Sequence, residues 1–156
     1  MSKNLWNEVH SRIASHDYMA GIERKVDRVK ATGEIFTPTD LVVEMLKLTP
    51  MELFEPGKKI LDPACGDGQF LVGAKWVKVL LAGMSEEDAL LDIFGVDIMR
   101  DNVDICKARL FGGTILMGDI LNPDKKLDKQ TKEEHKQMLE LFTNESQFSL
   151  FEGADI

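Results

Sequence analysis

The stretch Lys59-Ile60-Leu61-Asp62-Pro63-Ala64-Cys65-Gly66-Asp67-Gly68-Gln69-Phe70 decides the fold. Its opening is short and apolar and ends on an acid, just before a proline and two glycines, which is the pattern of a buried strand leaving a sheet at Asp62. After the glycines the sequence predicts a helix from about Gln69 to Leu81, stopped by Gly83.

The same alternation continues downstream. Ser85 is placed to cap a short helix opening on Glu86-Glu87-Asp88. Ile93-Phe94-Gly95-Val96-Asp97 reads as a second strand ending on an acid. Asp101 to Phe111 reads as a helix closed by Gly112-Gly113, and Thr114 to Met117 as a third strand ending at Gly118-Asp119. The crossovers are long enough for right-handed parallel connections, so the fold class is α/β, a partial doubly wound and mainly parallel sheet. Lys125 to Phe142 reads as a charged linker followed by a helix, and Gln147 to Phe151 as a fourth strand.

Upstream, Leu5, Val9 and Ile13, then Ile22, Val26 and Val29, recur at helical spacing, which predicts one or two amphipathic helices. Residues 1–32 are therefore taken as an N-terminal helical segment and 33–156 as the α/β domain. Thr37-Pro38-Thr39-Asp40 reads as a helix start, with Thr37 as the cap, Pro38 in the first helical position and Asp40 in the capping box. That helix is expected to turn Leu41, Met45 and Leu48 inward and to end near Pro50.

Composition narrows the function. The chain has 156 residues, 44% of them apolar, with 27 Asp+Glu against 19 Lys+Arg and a net charge of -8. That is enough for one core. The acidic balance counts against holding a nucleic-acid duplex unaided, because phosphate binding rests on clustered Lys and Arg. No apolar run fits a membrane span or a signal peptide. Cys65 and Cys106 lie far apart with no metal-ligand spacing around them, which argues against a metal site and suits a reducing cytoplasm.

Three consecutive strands end on or beside a carboxylate, Asp62, Asp97 and Asp119, and in an open parallel sheet ligands sit at the carboxyl ends of the strands. The loop after Asp62 is not a dinucleotide fingerprint, since Leu71 stands where the third glycine is needed, and it is no phosphate-binding P-loop either. A ligand with a cationic centre and a ribose suits these acids better. Asp97 can take ribose hydroxyls, and Asp119 can accept from an adenine amino group.

These segments together resemble the S-adenosylmethionine-dependent N6-adenine DNA methyltransferases of the restriction-modification type, a family with a Rossmann-like, class I methyltransferase fold. Asp62-Pro63-Ala64-Cys65-Gly66-Asp67-Gly68 is similar to the family's Asp-Pro-Ala-Cys-Gly-Ser-Gly loop, with Asp67 where Ser is commoner. Gly33-Glu34-Ile35-Phe36-Thr37-Pro38 resembles the segment that helps hold the methionine carboxylate. Gly95-Val96-Asp97-Ile98 resembles the ribose-binding strand end, and Gly118-Asp119-Ile120-Leu121 the segment beside the adenine ring. The resemblance thus implies S-adenosylmethionine as cofactor. Its contacts would come from Phe36, Thr37 and Pro38, from Asp62, Ala64, Gly66, Gly68 and Phe70, and from Asp97, Ile98, Asp119 and Ile120.

The family also carries Asn-Pro-Pro-Tyr at the end of its fourth strand, where the Asn and a backbone carbonyl accept from the target amino group and the ring stacks on the flipped base. No such run occurs in these residues, so the catalytic residues stay unassigned. If 147–151 forms the fourth strand, Gly153-Ala154-Asp155-Ile156 holds that place. The expected function is methyl transfer to adenine N6 when completed by a partner, with DNA bound through another subunit. A second copy or a partner protein is expected over the fourth-strand edge. The alternatives are a cofactor-binding regulatory subunit and an enzyme that degrades the cofactor. Cys65 reads as a small buried apolar residue rather than a nucleophile, and His10, His16 and His135 as solvated surface residues.

Overall fold

Three parallel strands, β1 (Ile60–Asp62), β2 (Ile93–Asp97) and β3 (Thr114–Met117), pair in the order β1-β2-β3 among the described residues. The structure is a computed structural model and describes residues 3–15 and 37–143. Asp62 pairs with Gly95, and Asp97 with Met117, so the strands finish side by side at one end of the sheet.

Six α-helices are described: α1 (Lys3–Ser15), α2 (Thr39–Leu48), α3 (Gln69–Leu80), α4 (Glu86–Leu91), α5 (Arg100–Leu110) and α6 (Lys132–Thr143). A 3-10 turn covers Met51–Phe54. Successive strand residues point to opposite faces, and both faces are covered. Ile93, Ile115 and Met117 pack with α1, α2, α3 and α5, while Leu61, Phe94, Val96 and Leu116 pack with Met138 and Leu141 of α6. Burial on both sides is what makes these strands read as apolar runs. None of the described helices is long and apolar enough to cross a membrane.

Helix α3 lies at the centre, buried from Leu71 through Lys78. Its two lysines bury their stems and still find partners. Lys78 Nζ donates to Asp92 Oδ2 at 3.0 Å and to the Glu55 carbonyl at 3.0 Å, and Lys75 Nζ reaches the Leu110 carbonyl and Glu86. A buried charge is tolerated only when paired in this way.

Among the described residues, side chains of the segment that leads into α6 and of α6 itself meet the end of β3's outer edge. Glu134 Oε1 accepts from Met117 N at 3.0 Å, and Gln130 Nε2 donates to the Met117 carbonyl at 2.8 Å. Beside β1, by contrast, lies an apolar cavity of about 320 Å³ lined by Leu46, Phe54, Ile60, Leu61, Phe70 and Leu71, among others.

Several sequence expectations hold. The spans of β1, β2 and β3 agree closely, Ser85 Oγ accepts from Asp88 N at 3.1 Å, and a left-handed Phe111 ends α5 just before Gly112. Others need correction. Helix α2 starts at Thr39 with Pro38 as its cap, not with Thr37 as cap and Pro38 inside, and no side chain caps it. The Thr37 carbonyl and Thr39 Oγ1 instead accept from Gln69 Nε2, and the Asp40 carboxylate lies against His10 Nε2 at 2.6 Å rather than closing a capping box. The inward face of α2 is Val42, Val43 and Leu46; Leu41 and Met45 are exposed, and Leu48 is 84% exposed. His10 and His135, expected as solvated surface residues, are half-buried and each has a partner: the Asp40 carboxylate for His10, and the Pro123 carbonyl, 2.9 Å from Nε2, for His135. His16, Ile22, Val26, Val29, residues 33–36 and the fourth strand expected at 147–151 lie outside the described residues.

Candidate functional site

The segment between β1 and α3 is folded back over the end of β2. Cys65 N donates to the Val96 carbonyl at 2.9 Å, Gly66 N to Asp97 Oδ1 at 3.1 Å, and Gly68 N closes a turn onto the Cys65 carbonyl at 2.9 Å. Gly66 (φ 55°) and Gly68 (φ 95°) are left-handed, a conformation that costs any residue with a Cβ. At Gly68 a Cβ would also fall 2.7 Å from Cys106 Sγ. Gly68 is the N-cap of α3, so this loop delivers the N-terminus of a helix to the strand ends.

Asp62 is partly buried at the tip of β1, where its Oδ1 accepts from Ala64 N at 3.1 Å. Burial pushes its carboxyl above the usual range, the Ala64 bond pulls it back, and the charge of Asp97 raises it further. The two acids therefore share one electrostatic environment. Asp97 is held by three donors of the protein itself: Gly66 N on Oδ1, and Met99 N (2.9 Å) and Asn102 Nδ2 (3.1 Å) on Oδ2. Since each carboxylate oxygen offers two lone pairs, Oδ1 keeps one acceptor position beyond the Gly66 bond.

Gly118 N donates to the Asp97 carbonyl at 3.0 Å and carries the chain past β2 to Asp119, which is half-buried and accepts from Leu121 N through Oδ1. Ile98 and Ile120 flank these acids and are exposed, and so is Ala64. Phe70 lines the apolar cavity beside β1, whose wall also includes Asp62 and Pro63 at the tip of that strand but neither Asp97 nor Asp119. Thr37 and Pro38 are tied to the start of α3 through the Gln69 side chain. Phe36 lies outside the described residues. A hydrogen bond with Cys106 and burial push the Cys65 thiol up, which favours the small buried residue over a nucleophile.

Sequence reasoning missed four residues. Asn102 steadies Asp97 from the first turn of α5. Asp67, Gln69 and Arg109 form a buried group beneath the loop: Arg109 Nη1 lies 3.2 Å from Asp67 Oδ2 and donates to the Asp67 carbonyl at 3.1 Å, and Nη2 donates to Gln69 Oε1 at 2.7 Å. The signal for this group was Asp67 itself, a further acid in a tight acidic loop, which calls for a cation below it.

The site thus offers acceptors, close backbone approach and a helix N-terminus at adjacent strand ends. Comparison with known proteins points the same way. Uracil-DNA glycosylases from Streptococcus equi subsp. zooepidemicus (strain MGCS10565) and Streptococcus equi subsp. equi (strain 4047) are 35% identical over 52 residues, which is 33% of this chain but only 24% of theirs. No solved structure matches. Residues 22–149, by contrast, match the family described as N-6 DNA methylase over a stretch that contains all three strands and their acids. With a match of that extent on top of this geometry, the chain belongs to the N-6 DNA methylase family.

Proposed function

We propose that this chain binds S-adenosylmethionine across the carboxyl ends of β1, β2 and β3, as the cofactor-binding part of a methyltransferase acting on adenine N6 in DNA. Bound there, the cofactor supplies an electrophilic methyl group on a cationic sulfur. In this reading Asp97 accepts from a ribose hydroxyl through the open position on Oδ1, and Asp119 accepts from the adenine amino group through Oδ2. Asp62 adds negative charge near the cation, and the glycines at 66 and 68 let the backbone approach closely. Thr37 and Pro38 meet the amino-acid end.

The observation that carries this reading is the bond from Gly66 N to Asp97 Oδ1, which fixes the glycine loop of β1 against the acid of β2 at one strand end. The donor set also fits. Asp62 and Asp119 each use only Oδ1 toward the described residues, leaving acceptor oxygens for amine and hydroxyl donors. The chain's part in methyl transfer is positioning, which brings the acceptor nitrogen and the methyl group into line. In this reading the groups that hold the target adenine of DNA come from a partner subunit or from further chain, since no Asn-Pro-Pro-Tyr occurs in these residues.

Calorimetric titration with S-adenosylmethionine tests the first half: saturable one-to-one binding is expected, and no heat with the wild-type chain overturns it. Transfer of labelled methyl to DNA with and without candidate partner chains tests the second. Label in DNA supports the methyltransferase, binding without transfer under any pairing favours a regulatory subunit, and breakdown of the cofactor alone favours a degrading enzyme.

A further inference from the structure

The buried group beneath the glycine loop connects three separate parts of the chain. Arg109, 2% exposed in the last turn of α5, sends Nη2 to the Ile13 carbonyl of α1 at 3.1 Å and to Gln69 Oε1 at 2.7 Å. Its Nη1 holds Asp67 within the loop. A guanidinium only donates, so the amide oxygen of Gln69 must face it, and the amide nitrogen is thereby turned the other way. There Nε2 donates to the Thr37 carbonyl at 2.9 Å and lies 3.3 Å from Thr39 Oγ1. The orientation of one side chain therefore joins the loop after β1 to the segment that enters α2.

Resting on the cofactor reading above, we propose that Gln69, oriented by Arg109, is a positioning residue that sets Thr37 and Pro38 against the glycine loop. Binding of the amino-acid end of S-adenosylmethionine depends on it, while binding of the nucleoside end does not. The acids proposed for the nucleoside, Asp97 and Asp119, are held by Gly66, Met99, Asn102 and Leu121, and none of those bonds passes through Gln69.

Two variants separate the possibilities. Gln69→Glu keeps an acceptor for Arg109 but sets a carboxylate oxygen against the Thr37 carbonyl, turning a bond into a repulsion. Gln69→Met removes both bonds without adding charge. The probes are S-adenosylhomocysteine, which carries the amino-acid end, and 5′-methylthioadenosine, which lacks it, titrated into wild type and both variants with thermal midpoints recorded.

Both variants are expected to weaken S-adenosylhomocysteine by about fivefold to tenfold, the scale of one lost hydrogen bond. Binding of 5′-methylthioadenosine should stay within about twofold of wild type. Equal losses for the two probes would make Gln69 a general structural residue and overturn the proposal. So would a loss confined to Gln69→Glu with Gln69→Met folded, which would be a charge effect. If Gln69→Met does not fold, the smaller uncharged Gln69→Ala takes its place: a selective loss of S-adenosylhomocysteine supports the proposal and an unchanged ratio overturns it. A wild type that binds neither probe instead overturns the cofactor reading itself, and this inference with it.

Discussion

The amide of Gly66 donates to Asp97 Oδ1 at 3.1 Å, so the turn that follows one strand is built onto the acid that ends the next. Asp97 accepts two further bonds, from Met99 N and Asn102 Nδ2. Its carboxylate is thus an organiser of the crevice as well as a candidate ligand group. In Asp97→Asn, one amide face must meet a donor whichever way it turns, because both original oxygens accept. The expected loss is toward the lower end of about 1–3 kcal/mol of stability, the cost of leaving a partly buried polar group unsatisfied. Urea unfolding measures it, and an unchanged midpoint would contradict this account of the crevice.

Gly68 is left-handed and faces Cys106. Gly68→Ala is expected to cost about 1–2 kcal/mol from backbone conformation, with an additional penalty from the 2.7 Å approach to Cys106 Sγ. Adding Cys106→Ala should recover only the steric part. Thermal unfolding of the single and double variants checks this, and full recovery in the double variant would mean that the backbone term is absent.

Burial and the charge of Asp97 raise the Asp62 carboxyl. A carboxyl raised on folding favours the folded state when protonated, so its relative stabilisation is complete below the usual value of 3.8 and is lost as pH rises through the raised value. Asp62→Asn fixes the neutral form and keeps an acceptor for Ala64 N. The variant should melt above wild type at neutral pH, with the gap closing on acidification, and should bind S-adenosylmethionine more weakly. Melting curves across pH test the sign, and a variant that melts below wild type at neutral pH would reverse it.

Lys78 and Asp92 are a buried pair 3.0 Å apart, and Asp92 Oδ2 also accepts from Gly57 N at 3.0 Å. Lys78→Met strands the carboxylate and should cost about 3–5 kcal/mol. Lys78→Met with Asp92→Asn, which keeps an acceptor for Gly57, should recover much of that loss in denaturant unfolding. No recovery would show that the carboxylate is not what the first change strands.

The strand ends were legible because β1, β2 and β3 are covered on both faces and stop at acids and glycines, which leaves short apolar runs with clear punctuation. The buried face of α2 was not. Leu41, Met45 and Leu48 compete at helical spacing with Val42, Val43 and Leu46, and only the packing of α1 and α3 decides between them. Arg109, Gln69 and Asn102 were invisible for a different reason: their roles are set by partners distant in sequence, and a charged residue in a helix gives no local sign that it is buried. Histidines 10 and 135 follow the same rule, since Asp40 and the Pro123 carbonyl reach them only in the fold.

The most direct test of the cofactor site is the backbone amide spectrum of the isotope-labelled chain during titration with S-adenosylmethionine. Saturable shifts are expected at Asp62 and at residues 64–68, 97–99 and 118–120, with little change at residues 82–85, which follow the end of α3 opposite the glycine loop. Shifts centred on Leu46, Phe54 and Leu71 around the apolar cavity, or no shifts at saturating cofactor, would contradict it.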